Sequence, residues 1–307
     1  EALIRASGLK SLKSSDIAFG IAPRINAAGR LDNAMIAYDA FAALYTEEAD
    51  KIANALNILN GQRQDFTKGA YAEAMDILAK DKNKSPYINF IYHNIRGGIL
   101  GLVAGKISGE TNTPTVVMSS DGAVAHASAR SIQGVNITAA LEECKEYLIS
   151  FGGHDQAAGL NIAVENIPAF REKLEDTISK MVDVSKMVPS FDVDAEIGID
   201  NINTNLCNQL EVLEPVGNGN SQAVFISRNV QVLEQKVIGS EGTHYRISCA
   251  TGGAPIAGVF FGGVSKIGSI SGRVDIIHTV EINDFRGNKT PQMNIKDISA
   301  YYAIIQK

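Results

Sequence analysis

Phe151-Gly152-Gly153-His154-Asp155-Gln156-Ala157-Ala158-Gly159 decides how this 307-residue chain is read. Two glycines precede a histidine, a third follows five residues after it, and apolar runs flank the whole. Read as a loop, Gly152 and Gly153 allow positive φ and bring backbone N–H groups close to a ligand, as phosphate-cradling turns do. His154 can donate a hydrogen bond to a phosphate oxygen, more strongly when protonated. Alone, the stretch is equally a glycine-rich turn with one surface histidine, so its neighbours must decide.

Upstream lies Ala127-Ser128-Ala129-Arg130-Ser131. On a strand, Ser128 and Arg130 share a face. A hydroxyl and a guanidinium there make a clamp for a terminal phosphate, each charged hydrogen bond contributing about 1.5–3 kcal/mol. The plain alternative is an exposed sheet face with an arginine packed over it. Further upstream, Arg24 and Arg30 bracket Ile25-Asn26-Ala27-Ala28-Gly29. Pro23 disfavours helical angles at Ala22, so Pro23–Gly29 is expected to be a turn or loop leading into a helix, both guanidiniums reaching outward. Arginines solvating a helix surface are the alternative.

The remaining pattern supplies the frame. Asn33 can cap a helix over 34–44, and Thr46 a longer one to Lys80 with Glu47 and Glu48 at its positive end. Ile52, Leu56, Leu59, Phe66, Ala70 and Ile77 form its apolar stripe, broken at Arg63, and Gly61 and Gly69 mark possible kinks. Strand and helix then alternate: strands at 87–93, 115–118, 123–129 and 159–164, helices at 99–109, 137–149 and 167–181. From about Phe191 the pattern is strand-like apart from a helix at 204–213. Strands at 223–226, 230–238, 243–249, 256–261, 273–282 and 292–298 predict a small antiparallel barrel, the oligonucleotide-binding (OB) type leading.

A net charge of −6 excludes a wholesale basic binder but leaves room for a local basic groove. Cys144, Cys207 and Cys249 lack ligand spacing and read as reduced, buried thiols of a cytosolic protein. No apolar run reaches membrane-spanning length. The chain opens at Glu1 in mid-pattern and is expected to be a piece of something longer.

Together these stretches resemble the RecJ single-strand-specific exonucleases of bacteria, members of the DHH phosphoesterase superfamily. The matching residues are Ala22 to Leu31, Gly98 to Lys106, Ser128 to Ser131, and Phe151 to His154 with Ala157-Ala158-Gly159. Leu213 to Asn220, Phe285-Arg286-Gly287 and Ile295 to Ile298 extend the likeness into the last domain. The resemblance implies an α/β plus all-β fold: a remnant of a DHH domain (1–45), a connecting helix (46–85), a DHH-associated α/β domain (86–187) and an OB-like barrel (188–307). It implies a 5′→3′ exonuclease on single-stranded DNA, using Mn²⁺ or Mg²⁺ in the parent enzyme. Ser128 and Arg130, with Ser131, would hold the 5′ phosphate, His154 would contact the scissile phosphate, and Arg24, Asn26 and Arg30 the DNA backbone. Single-strand-binding protein and a helicase are the partners the family implies, in the bacterial cytoplasm.

The chain departs from the family where metal is bound. It contains no Asp-His-His, and Asp192 and Asp194 read as an outward strand pair. No metal ligand is therefore expected here, no bound cofactor, and no hydrolysis by this portion alone. Asp155 stands where a proline commonly follows the histidine, and Val216 where an aromatic is common. In the barrel, Tyr245 and Phe285 are the stacking candidates, beside Arg246 and Arg286. Two other functions compete: a phosphodiesterase for cyclic dinucleotides or short RNA, and a non-catalytic single-stranded nucleic-acid-binding protein.

Overall fold

In the computed structural model, residues 1–9, 12–187, 189–285 and 287–300 are described, and the chain divides into two units, 1–190 and 191–307. In the first, Ala2–Ser7 (α1) and Ser14–Asp16 (α2) lead through a π turn at Ile17–Ile21 into Ala22–Leu31 (α3). The loop expected over Pro23–Gly29 is thus helix. Pro23 falls in the first turn of α3, where a missing N–H costs little. The wider π turn eases the backbone ahead of the ring, and Ala22 keeps helical angles of φ −57° and ψ −39°.

Met35–Ala42 (α4) follows, with Asn33 Oδ1 accepting from the Met35 N–H at 2.9 Å. Thr46–Lys80 (α5) is one unbroken helix of 35 residues, about 50 Å long at 1.5 Å per residue. Gly61 and Gly69 do not interrupt it, because tertiary packing outweighs the ~1 kcal/mol each costs. Tyr45, not Thr46, occupies the cap position, while Glu47 and Glu48 stand in the first turn as expected.

Next come Asn89–Tyr92 (β1), Leu100–Thr111 (α6), Thr115–Ser120 (β2) and Val124–Arg130 (β3). Ile137–Glu142 (α7), Leu148–His154 (β4), Ala157–Ala163 (β5) and Ile167–Met181 (α8) complete the unit. The sheet order is β1-β2-β3-β5-β4, parallel between β1 and β2 and antiparallel elsewhere. The helix expected to run to Ile149 ends at Glu142, so the sheet holds a strand the sequence pattern hid. Ile137, Leu141, Cys144 and Leu148 do share one core, but Leu148 reaches it from a strand after a 3-10 turn at Lys145–Tyr147.

Ala125, Ala127 and Ala129 alternate into that core against Phe170, Leu174 and Ile178 of α8. Each large side chain buried there contributes about 1.5–3 kcal/mol. On the opposite face, Ile91 and Val117 pack on Val103, Ala104 and Ile107 of α6 and on Ala74 and Leu78 of α5.

The second unit contains Ala195–Glu196 (β6), Thr204–Leu210 (α9), Phe225–Ile238 (β7), His244–Ala250 (β8), Ile256–Phe260 (β9), Gly263–Lys266 (α10), Gly272–Phe285 (β10) and Asn288–Ala300 (β11). β7-β8-β9-β11-β10 closes on itself through β10–β7 pairing, with β9 and β11 parallel, in an OB-like barrel. The two strands expected at 223–226 and 230–238 are one, continuous through Asn229 at φ 54°. All three cysteines are buried, and none forms a disulfide among the described residues. Among the described residues, no helix is long and apolar enough to cross a membrane.

Candidate functional site

Sheet register assembles the site. His154, Ala157 and Arg130 form one cross-strand row, and Gly152, Gly159 and Ser128 the next. Paired residues share a face, and this face is opposite to the one that buries Ala127 and Ala129. Strands lie about 4.8 Å apart, so His154 and Arg130 stand about 10 Å from each other across β5. A third row adds His126, Asn161 and Ser150: His126 Nδ1 lies 2.6 Å from Asn161 Oδ1, and the Asn161 amide donates to Ser150 Oγ at 2.8 Å.

The floor of this trough is bare. A Cβ on Gly152 would meet nothing within 4 Å, and one on Gly159 only the Ala127 carbonyl at 3.8 Å. The fold therefore does not require glycine at either place. Gly153 is different, because the β5 backbone crowds it: a Cβ would collide with the Ala157 carbonyl oxygen and lie 2.5 Å from Ala158 Cα. The expected left-handed loop does not form, since these glycines are strand residues without positive φ.

The hairpin turn is fastened to α7. Ile137 N–H donates to Asp155 O at 2.9 Å, Asn136 Nδ2 to Asp155 Oδ1 at 2.7 Å, and Thr138 Oγ1 to His154 O at 2.8 Å. The Asp155 carboxylate beside the histidine is thereby occupied by an amide. Gln156 Nε2 donates to Ile132 O at 3.2 Å, tying the turn to the end of β3.

Arg130 is half-buried against α6, with Nη1 donating to its neighbour Ala129 O at 2.8 Å. A Cβ on Gly101 would sit 2.5 Å from Arg130 Nη2 and 3.2 Å from Ser128 Oγ, so the glycine makes the arginine's seat. Burial, and then the charge of Arg30, lowers the Arg130 pKa. Ser131 spends its hydroxyl on Val135 O at 2.6 Å. It helps line an open cleft of about 330 Å³ with Gly105, Ser108, Arg130, Gln133 and Gln156.

The two upstream arginines do not both reach outward, as the loop reading expected. Within a helix, Arg24 lies along the preceding turn, its Nη1 donating to Gly20 O at 2.5 Å and its Nε to Asn57 Oδ1 of α5 at 2.9 Å. Arg30 sends Nη1 to Gly98 O at 3.1 Å, just ahead of α6, which brings it to the Arg130 end of the trough. Asn26 is exposed. Sequence reasoning passed over Arg63, whose pKa is lowered by burial and then by Arg30. The available signal was a charged residue interrupting an otherwise apolar stripe. His126, on the same sheet face, was also missed.

In the barrel, Tyr245 packs on the core and against Gly263, so it is no free stacking platform. Arg246 is exposed. Phe261 is the exposed aromatic nearby, its ring edge-on to His244 at 5.2 Å. Arg286 and the Phe285 side chain lie outside the described residues. Asp192 and Asp194 are exposed, Asp194 Oδ2 accepting from the Val224 N–H at 2.8 Å. Among the described residues, no three His, Cys, Asp or Glu side chains gather as a metal site.

Residues 83–180 match the DHHA1 domain model and residues 193–297 the RecJ OB domain model. The single-stranded-DNA-specific exonuclease RecJ of Bacillus subtilis (strain 168) is 28% identical over 96% of this chain and 38% of its own length. RecJ of Escherichia coli (strain K12) is 26% identical over 94% of this chain and 52% of its own. The chain thus spans about half the length, or less, of these curated relatives. A crystal structure of RecJ in complex with Mn²⁺ from Thermus thermophilus superposes with a TM-score of 0.82 at 24% identity, over 98% of this chain and 44% of that one, which shows the fold. A structure of exonuclease RecJ bound to manganese gives 0.52 at 27% identity, over 61% of this chain and 46% of that one. With a DHHA1 domain at 83–180, a RecJ OB domain at 193–297 and RecJ relatives aligned along 94–96% of its length, the chain is RecJ-like throughout.

Proposed function

We propose that this chain is the phosphate-holding portion of a 5′→3′ single-stranded-DNA exonuclease of DNA repair and recombination. One observation carries the reading: His154 and the Ser128–Arg130 pair face one another across a floor of Gly152 and Gly159 that packing does not require. Ser128 and Arg130 hold the terminal 5′ phosphate, a charge-assisted contact made by a guanidinium already seated. His154 donates to a non-bridging oxygen of the scissile phosphate, and the bare floor lets the sugar-phosphate chain lie against the sheet. The RecJ relatives' structures carry Mn²⁺ or Mg²⁺. The described residues offer no ligand set for such an ion, and the chain is proposed to bind without hydrolysing. A barrel of OB type favours a substrate longer than a dinucleotide.

The test is a titration of labelled oligonucleotides at low salt. The 5′-phosphorylated strand binds more tightly than the unphosphorylated one, and Arg130→Ala removes that preference. Equal binding of both ends by the wild-type chain would overturn the pocket. Mn²⁺-dependent cleavage by the purified chain would overturn the non-hydrolytic reading alone.

A further inference from the structure

Arg63 is the anomaly that the site above leaves unused. It stands midway along α5, where its Nη2 donates to the buried Asn60 Oδ1 at 2.9 Å. Its Nε is buried and has no hydrogen-bond partner among the described residues. A guanidinium N–H taken from water without an acceptor is costly, and folds ordinarily supply one. Here the nearby charge is of the same sign. Arg30 acts on both Arg63 and Arg130, and no carboxylate among the described residues offsets it at either. Elsewhere the first unit pairs its arginines readily: Arg5 with Asp50 at 2.7 Å and Arg171 with Asp81 at 2.7 Å. One turn beyond Arg63, Arg96 lies over the Phe66 ring at 4.5 Å and adds another cation to that face of α5. Arg63 and Arg30 thus bring two guanidiniums together, one of them with an unused donor among the described residues, and an oxyanion is the group that satisfies this arrangement.

We propose that Arg63 is a third phosphate-binding guanidinium, which with Arg30 takes an internucleotide phosphate of the strand whose 5′ end Arg130 holds. The proposal rests on the single-stranded-DNA reading given above. Arg63 is a binding residue, and its contribution is independent of how the 5′ end is finished.

Oligonucleotide binding by the full 307-residue chain, followed across a salt series, tests it. Arg63→Gln weakens phosphorylated and unphosphorylated strands alike, by about tenfold or more. It also lowers the slope of log K against log salt by about 0.7, the value of one single-strand phosphate contact. Arg63→Lys keeps the slope and loses part of the affinity, since a point charge replaces a fork. Without DNA, Arg63→Gln melts no lower than wild type, because repulsion is relieved; a merely structural guanidinium would give a lower melting temperature. An unchanged slope in Arg63→Gln overturns the proposal. Should that variant fail to fold, wild-type affinity in Arg63→Lys overturns it equally. If Arg130→Ala abolishes the 5′-phosphate preference while the Arg63→Gln slope stays at the wild-type value, the functional reading stands and this inference falls. No binding by wild type removes both.

Discussion

Arg228 and Arg273 of the barrel and Arg63 and Arg130 of the first unit are treated in opposite ways. In the barrel, Arg228 donates from Nε to Glu196 Oε2 at 3.1 Å and from Nη1 to Asp275 Oδ2 at 2.9 Å, and both carboxylates raise its pKa. Arg273 likewise ends on Asn229 O and Oδ1, at 3.0 and 3.1 Å. Even the buried His278 is accommodated, with Nε2 2.9 Å from Ser227 Oγ and Nδ1 3.3 Å from Thr279 O. In the first unit, Arg63 and Arg130 have pKa values lowered by burial and by Arg30, with no acid in reply among the described residues. A chain that needs only to fold pairs or hydrates its charges. The difference supports placing the proposed phosphate-binding surface in the first unit, where Arg63 and Arg130 carry positive charge that no neighbouring acid offsets among the described residues.

The largest expected effect tests the self-satisfied half. Burial lowers the His278 pKa to about 4. The unfolded chain, with a histidine near 6.5, takes up the proton first as pH falls. The stabilisation from neutral His278 is therefore complete above pH 6.5 and lost progressively toward pH 4, by about 3 kcal/mol at the acid end. Urea unfolding of the chain at pH 7, 6, 5 and 4.5 should show this limb, and His278→Asn should flatten it. A wild-type stability unchanged from pH 7 to 5 would contradict it.

Next, Arg130→Ala should cost about 1.5–3 kcal/mol of binding to a 5′-phosphorylated strand and almost nothing for an unphosphorylated one. Comparable losses on both would mean that Arg130 supports the sheet rather than the phosphate. Gly153→Ala forces a methyl into the β5 backbone and should lower stability by about 1–3 kcal/mol, read as an earlier urea midpoint. Gly152→Ala, one residue away, should leave the midpoint within about 0.5 kcal/mol while weakening DNA binding, since only the trough gains the methyl. If the two glycine variants behave alike, the trough is ordinary sheet surface. The smallest effect belongs to Arg228→Ala, which should leave the salt slope of DNA binding at the wild-type value because that guanidinium is already paired.

Much of this architecture was legible in the sequence, for reasons that differ by region. The span of α5 could be read because its apolar spacing persists for many turns between an acidic first turn and a polar stop. The barrel strands could be read because turn residues separate them, and the one join that was missed lies at Asn229, whose left-handed φ lets a strand pass through a residue that looks like a break. β4 was hidden because Cys144 and Leu148 continue a helical spacing from Ile137, although the chain changes direction between them. In the site, a two-residue period sufficed to put Ser128 and Arg130 on one face. The opposing His154 needed knowledge of the β4–β5 pairing, which no local pattern carries. Arg24 and Arg63 depend on tertiary surroundings: the first finds Gly20 and Asn57, and the second has no partner at Nε among the described residues.

The seat that α6 provides for Arg130 has a consequence for tuning. Because Gly101 touches the guanidinium from behind, that helix position works as a backstop whose thickness sets how far the arginine projects. A single methyl at 101 would push the charged fork forward, and a bulkier group would evict it, without altering Ser128, Arg130 or His154. The proposed phosphate recognition is therefore open to adjustment from the side of the sheet's covering helix, a place where a contact map of the bound strand would show nothing.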